Sequence, residues 1–194
     1  MYKLCKTEQS AARQRELELE LLRAMTSRQY EEITVSDLCE QIGIPRKSFY
    51  RYFSGKEGAL HALIDHTNLE FDTRFSLASA KEVRSFQRGL EHFFQFWKDQ
   101  KPLLDALARS NLSGVLMERS IAYAVQDISM TYRFLSREMQ EMRSHATMFA
   151  VCGLMSMVIT WHHEGYPHDA AHMAAMATRL MTQPLFSEQT LQNL

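Results

Sequence analysis

Between Gly43 and Lys56 the chain carries Arg46, Lys47, Arg51 and Lys56, with no acidic residue among them. Tyr50 and Tyr52 stand beside these cations. Cationic side chains displace the counterions of a phosphate backbone, and hydroxyls add hydrogen bonds to phosphate oxygens. Arginine and lysine also match the acceptor edge of guanine. The chemistry these residues could do is therefore recognition of a polyanion, and double-stranded DNA fits both parts of it. The patch is local: positions 1 to 65 hold ten basic and ten acidic residues, and the whole chain has 22 against 23. Bulk charge does not draw this protein to nucleic acid, so any contact must come from this segment.

The flanking sequence predicts the elements that would position the patch. Thr34 caps a short helix, with Asp37 completing a capping box, and Leu38 and Ile42 face inward. Gly43 ends that helix at a position suited to left-handed backbone, and Pro45 blocks its continuation. A second short helix is predicted from Arg46 to Phe53. Phe49 and Phe53 share its inner face at i, i+4, which turns Tyr50 and Tyr52 outward. The run Ser54-Gly55-Lys56-Glu57 is a capping box for a helix reaching about Phe75. Lys56 in a first turn opposes the helix dipole, a cost that a phosphate at the same N-terminus would offset. Upstream, a helix from Glu8 to Ser27 carries the apolar stripe Leu17, Leu21, Ala24 and Met25. Helix, glycine turn and helix is the geometry that lays one helix in a major groove.

The segment YEEITVSDLCEQIGIPRKSFYRYFSGKEGAL, Tyr30 to Leu60, resembles the DNA-binding domain of the TetR family of transcription regulators. Thr34, Gly43, Tyr50, Phe53, Lys56 and Leu60 fall where that family's pattern places them. The resemblance implies a homodimer that sets two recognition helices on a palindromic operator, with half-sites roughly 34–36 Å apart or equivalently spaced. It implies phosphate contacts from Thr34, Tyr50, Tyr52 and Lys56, and base contacts from Arg46, Lys47 and Arg51. Ser36 and Ser48 complete the candidate DNA-binding set. Repression released by an effector is likewise what the family implies. Gln29, Pro45 and Lys47 depart from the pattern: a glycine, a capping hydroxyl and a small residue are usual there.

The expected fold class is all-α. A three-helix helix-turn-helix domain over 1–65 is joined through the fourth helix to a helical bundle over 66–194 for effector binding and dimerisation. Beyond a polar joint at Ser76 to Lys81, Phe86, Leu90, Phe93, Phe94 and Trp97 share one helical face, and Pro102 opens another helix. Longer helices are predicted near Val115 to Leu135 and Glu138 to His163, with a last one from Asp169 to Thr182. Small residues at Ala146, Ala150, Gly153 and Met157, and the stripe Ala170, Met173, Ala174 and Ala177, fit either a dimer interface or packing within the chain. Phe93, Trp97, Met117, Tyr123, Met130, Phe134, Met148, Cys152 and Met155 are candidates to line a pocket for a small apolar or aromatic effector, since methionine repacks easily.

Other chemistries find little support. No GxSxG, HExxH or GxGxxG occurs, so no enzyme is expected. His162, His163, His168 and His172 cluster near a turn, but the spacing is not that of a structural metal site, and no metal or cofactor is expected. Cys5, Cys39 and Cys152 are widely separated, and MYKLCKTEQS has no apolar core, which fits a cytoplasmic protein with reduced thiols. The apolar run from Ala146 to Trp161 reads as a buried helix rather than a membrane span. A helical protein–protein interaction module is the alternative reading from another class.

Overall fold

The computed structural model describes residues 1–5, 7–77, 85–126 and 141–183. Among these the secondary structure is helical, apart from one isolated antiparallel bridge between Tyr2 and Phe53. The all-α class expected from periodicity is what the chain adopts.

Helix α1, Glu8–Met25, starts where the Thr7 hydroxyl accepts the Ser10 amide at 3.2 Å. Leu17, Leu21 and Met25 recur at i, i+4, i+8 and are fully buried. Each such burial contributes about 1.5–3 kcal/mol, before the entropy of ordering is subtracted. A 3-10 turn at Tyr30–Glu32 leads to α2, Val35–Gln41. The capping box that opens α2 closes in both directions: the Asp37 amide donates to Thr34 Oγ1 at 3.1 Å, and the Thr34 amide donates to Asp37 Oδ2 at 3.0 Å. Gly43 takes φ +68°, a left-handed value that any side chain would oppose. Pro45 then sits at the N-cap of α3, Arg46–Phe49.

Helix α3 is shorter than the Arg46 to Phe53 helix expected. After Phe49 the backbone tightens: the amide of Arg51 donates to Ser48 and that of Tyr52 to Phe49, both i→i+3 bonds. The Phe53 amide still donates to the Phe49 carbonyl at 3.1 Å, an i→i+4 bond, while Phe53 also bridges Tyr2. Helix α4 follows at Lys56–Leu77.

The chain divides into two units. The first comprises residues 1–70 and 100–126, and so takes in α6, Lys101–Arg109, and α7, Ser113–Gln126. Leu103, Leu104 and Leu107 of α6 are buried, α6 packs on α1, and the Ser110 hydroxyl accepts the Tyr30 amide at 2.9 Å. Arg119 of α7 forks onto Asp65 of α4.

The second unit holds 71–99 and 127–194. Its described helices besides the end of α4 are α5, Phe86–Asp99; α8, Arg143–His163; and α9, Ala170–Thr182. Helix α5 packs most extensively on α9, and the Phe94 and Trp161 rings meet edge to face at 5.8 Å. The stripe Ala170, Met173, Ala174 and Ala177 is buried in the single chain, with Ala174 and Ala177 at 0% exposure. Of the two uses the sequence left open for that stripe, packing within the chain is therefore the one seen. Helix α8 differs from the buried helix expected: only 28% of its apolar stretch is buried, and its length and composition alone would suffice to cross a membrane. Ala150 is buried on it, Ala146 and Met157 are half-buried, and Gly153 is exposed.

Seven of the nine residues expected to line one pocket are among the described residues. Trp97 and Met155 are packed into the core of the second unit, Phe93 and Cys152 are half-buried, and Met148 is exposed. Met117 and Tyr123 lie on α7 in the first unit, while Met130 and Phe134 lie outside the described residues. The second unit has an open cleft of about 140 Å³ elsewhere, lined by Phe71, Arg74, Phe75, His92, Gln95, Phe96 and Asp99. His168 and His172 stack at 4.2 Å, but among the described residues no three His, Cys, Asp or Glu side chains converge as a metal site.

Candidate nucleic-acid interface

The second short helix is anchored by Phe49 and Phe53, both almost wholly buried, with ring centroids 5.1 Å apart. Fixing that inner edge turns the rest of the segment to solvent. Arg46, Lys47, Tyr50 and Arg51 are exposed, and Ser48 and Tyr52 are half-exposed. Tyr50 is 45% exposed with its ring set edge-on to Phe49 at 5.6 Å, which limits where its hydroxyl can point. Among the described residues, no carboxylate pairs with Arg46, Lys47 or Arg51. Three uncompensated cations and a phenol on one short, exposed segment form a surface suited to phosphates and base edges.

Two further candidates stand at the start of α2. Ser36 is exposed. The Thr34 hydroxyl is exposed too, while accepting the Asp37 amide as a cap. Arg28 steadies this corner: its guanidinium donates to Asp37 Oδ2 at 2.8 Å. The Asp37 carboxyl is held down to about 2, first by the backbone amide of Thr34 and then by Arg28.

Lys56 is placed differently from the phosphate donor expected. Its ammonium donates to the carbonyl oxygen of Ile33 at 2.7 Å and to that of Tyr30, and lies 4.1 Å above the Tyr30 ring. Burial lowers the Lys56 pKa. Burial also pushes the Tyr30 phenol up to about 12, with Glu57 and Glu31 adding to it. The cation thus ties together the carbonyls of the 3-10 turn that leads into α2, sharing that of Tyr30 with the Ile33 amide.

Three contributors to this region escaped the sequence reading. Arg28 and Tyr30 act across turns that no periodicity marks. Residues 1–3 pair with Tyr52 and Ser54 at the end of the recognition segment, where the Lys3 amide donates to the Tyr52 carbonyl at 2.9 Å and the Ser54 amide to that of Met1 at 3.0 Å. Ser54, expected to cap α4, also donates its hydroxyl to the Met1 carbonyl at 2.9 Å.

Residues 22–63 match the model of the family described as bacterial regulatory proteins, tetR family. A stretch of 76 residues is 37% identical to the HTH-type transcriptional regulator EthR of Mycolicibacterium smegmatis, covering 37% of this chain and 35% of that one. The matched stretch thus spans about a third of that relative's length. Among solved structures, the TetR family repressor AlkX from Dietzia sp. strain DQ12-45-1b is similar with a TM-score of 0.58 at 16% identity, covering 93% of this chain and 96% of that one. The fatty acid degradation regulator FadR from Bacillus halodurans aligns with a TM-score of 0.54 at 13% identity, covering 89% and 95%. The dihydroxyacetone kinase operon activator DhaS aligns with a TM-score of 0.51 at 14% identity, covering 87% and 93%. At these identities the structural likenesses establish the fold.

Proposed function

Since this chain belongs to the tetR family of bacterial regulatory proteins, we propose that it is a transcription regulator that binds duplex DNA through the segment Arg46 to Tyr52, as a homodimer on a palindromic operator. The observation that carries the reading is the exposed, unpaired set Arg46, Lys47 and Arg51 on a segment pinned from behind by Phe49 and Phe53. Phosphate contacts would come from Tyr50, Tyr52 and the corner at Thr34 and Ser36. Base edges would be read by Arg46 and Lys47, with Ser48 and Arg51 beside them. In this reading Lys56 acts by holding the corner and meets phosphate only if its ammonium leaves the carbonyls it now serves.

Homodimerisation is supported by α8. A 21-residue apolar helix with Phe149 at 68% exposure leaves a face that water solvates poorly. A second copy would bury it, with Gly153 allowing close approach and Met176 and Leu180 of α9 adding apolar surface.

Repression by blocking promoter access is the mode of action we propose, relieved by a small apolar or aromatic effector. Such control requires an effector that binds one spacing of the two DNA-binding heads more tightly than another. The cleft edged by Phe71, Phe75 and Phe96 offers aromatic surface for this. At about 140 Å³ it must widen to take a whole ligand, since ordinary ligand sites run to about 300–1,000 Å³.

Selection from a random duplex pool, followed by titration of the selected sequence at several salt concentrations, tests the proposal. A palindromic product whose affinity falls steeply with salt is expected. Enrichment of nothing, with only weak binding at low salt, would overturn it in favour of a helical protein-interaction module.

A further inference from the structure

We propose that residues Met1–Lys3 form a strap that sets the angle of the recognition segment, with Tyr2 as its positioning residue; this rests on the DNA-binding reading above. Helix α3 is a single turn, Arg46–Phe49, too short to hold its own orientation. Phe49 and Phe53 fix its inner edge, but its exit toward α4 needs a second restraint. The strap supplies one through main-chain pairing. Tyr2 bridges Phe53 in antiparallel fashion, the Lys3 amide donates to the Tyr52 carbonyl at 2.9 Å, and the Ser54 amide donates to the Met1 carbonyl at 3.0 Å.

The strap is itself anchored. The Tyr2 hydroxyl donates to Asp65 Oδ2 at 2.8 Å, and its ring meets His66 edge-on at 5.9 Å. Asp65 is buried on α4 and cannot swing, because Arg119 of α7 donates to it through two nitrogens, Nε at 2.8 Å. The Tyr2 phenol therefore reports the position of a carboxylate that two helices hold in place. Burial and the Asp65 hydrogen bond both push its pKa upward, as expected for a phenol that keeps its proton.

A separate observation shows that the strap's seat is built into α4. Gly58 lies in the first turn of that helix, where alanine would be the better helix former. A Cβ at Gly58 would overlap the Met1 carbonyl oxygen and stand 3.1 Å from the Met1 carbonyl carbon. The glycine leaves room for the strap's backbone against the helix.

The test measures binding of the full chain to its selected duplex, at a temperature where circular dichroism shows every variant folded. Tyr2→Phe removes one hydroxyl, and Gly58→Ala unseats the strap while favouring the helix. Each is expected to weaken binding roughly fivefold or more while leaving the salt slope unchanged, because no phosphate contact is lost. A residue serving stability alone would leave affinity untouched below the melting transition. Wild-type affinity in both variants overturns the proposal. So does a salt slope lowered by about one, which would make the strap itself a phosphate contact. If the unaltered chain binds no duplex at all, the DNA-binding reading falls along with it; if it binds and the variants match it, only the strap is refuted.

Discussion

The ammonium of Lys56 lies 4.1 Å above the ring of Tyr30, a residue 26 positions earlier whose carbonyl oxygen it also binds. It donates as well to Ile33, so one cation at the start of α4 closes the turn that aims α2. Replacing Lys56 with methionine keeps the stem and removes these bonds. The expected loss is about 1–2 kcal/mol of stability, from charge-assisted hydrogen bonds and a cation–π contact at a partly exposed site. A lowered melting temperature, with operator and nonspecific affinity reduced together, is the predicted outcome. An unchanged melting temperature with weakened DNA binding would mean that Lys56 acts on phosphate alone.

The Asp37 carboxylate gives the same corner a pH dependence. It titrates at about 2 in the folded chain because the Thr34 amide and Arg28 stabilise its charged form. An unfolded aspartate titrates near 4. The folded pKa is the lower one, so this contribution is complete above about pH 4 and is lost as pH falls toward 2. Asp37→Asn should lower stability at neutral pH and flatten the acid limb of the pH–stability curve between those values. An acid limb identical to that of the unaltered chain would show that the cap does not act through its charge.

Arg46 and Tyr50 should fail in different ways. Arg46 is exposed and unpaired on the first turn of α3, where a guanidinium can reach a base edge. Arg46→Ala is expected to cost about 1–3 kcal/mol at the operator and to relax specificity at one position. Tyr50→Phe removes only a hydroxyl and should weaken selected and random duplexes alike. Competition binding against both DNA types distinguishes these outcomes, and equal affinity in both variants would argue against this segment as the reader.

Local signals made most of the recognition segment legible. Thr34 with Asp37, Gly43 at φ +68°, and Phe49 with Phe53 each act within four residues, so type and spacing sufficed to place them. What stayed hidden acts at long range. Nothing near Lys56 points to Tyr30, and nothing in residues 1–5 announces a pairing with Tyr52. The end of α3 is hidden for the same reason, since Phe53 bridges Tyr2 while its amide still donates to Phe49. The alanine stripe of α9 was ambiguous in another way. Small residues permit close approach without naming the partner, and here α5 of the same chain takes that place.

That ambiguity leads to a paired prediction about assembly. Phe149 on α8 is 68% exposed and Ala174 on α9 is wholly buried. If a second copy covers α8, a charge at Phe149 would be desolvated and unpaired in the dimer but solvated in the monomer. Phe149→Glu should then shift sedimentation from dimer to monomer and weaken operator binding, because the two heads would no longer be linked. Ala174→Leu adds bulk where α9 meets its own chain, and overpacking of this kind costs about 1–3 kcal/mol. It should lower the melting temperature and leave the dimer intact. The reverse pattern, in which Ala174→Leu dissociates the dimer and Phe149→Glu does not, would return the interface to the α9 stripe and require α9 to turn outward from α5.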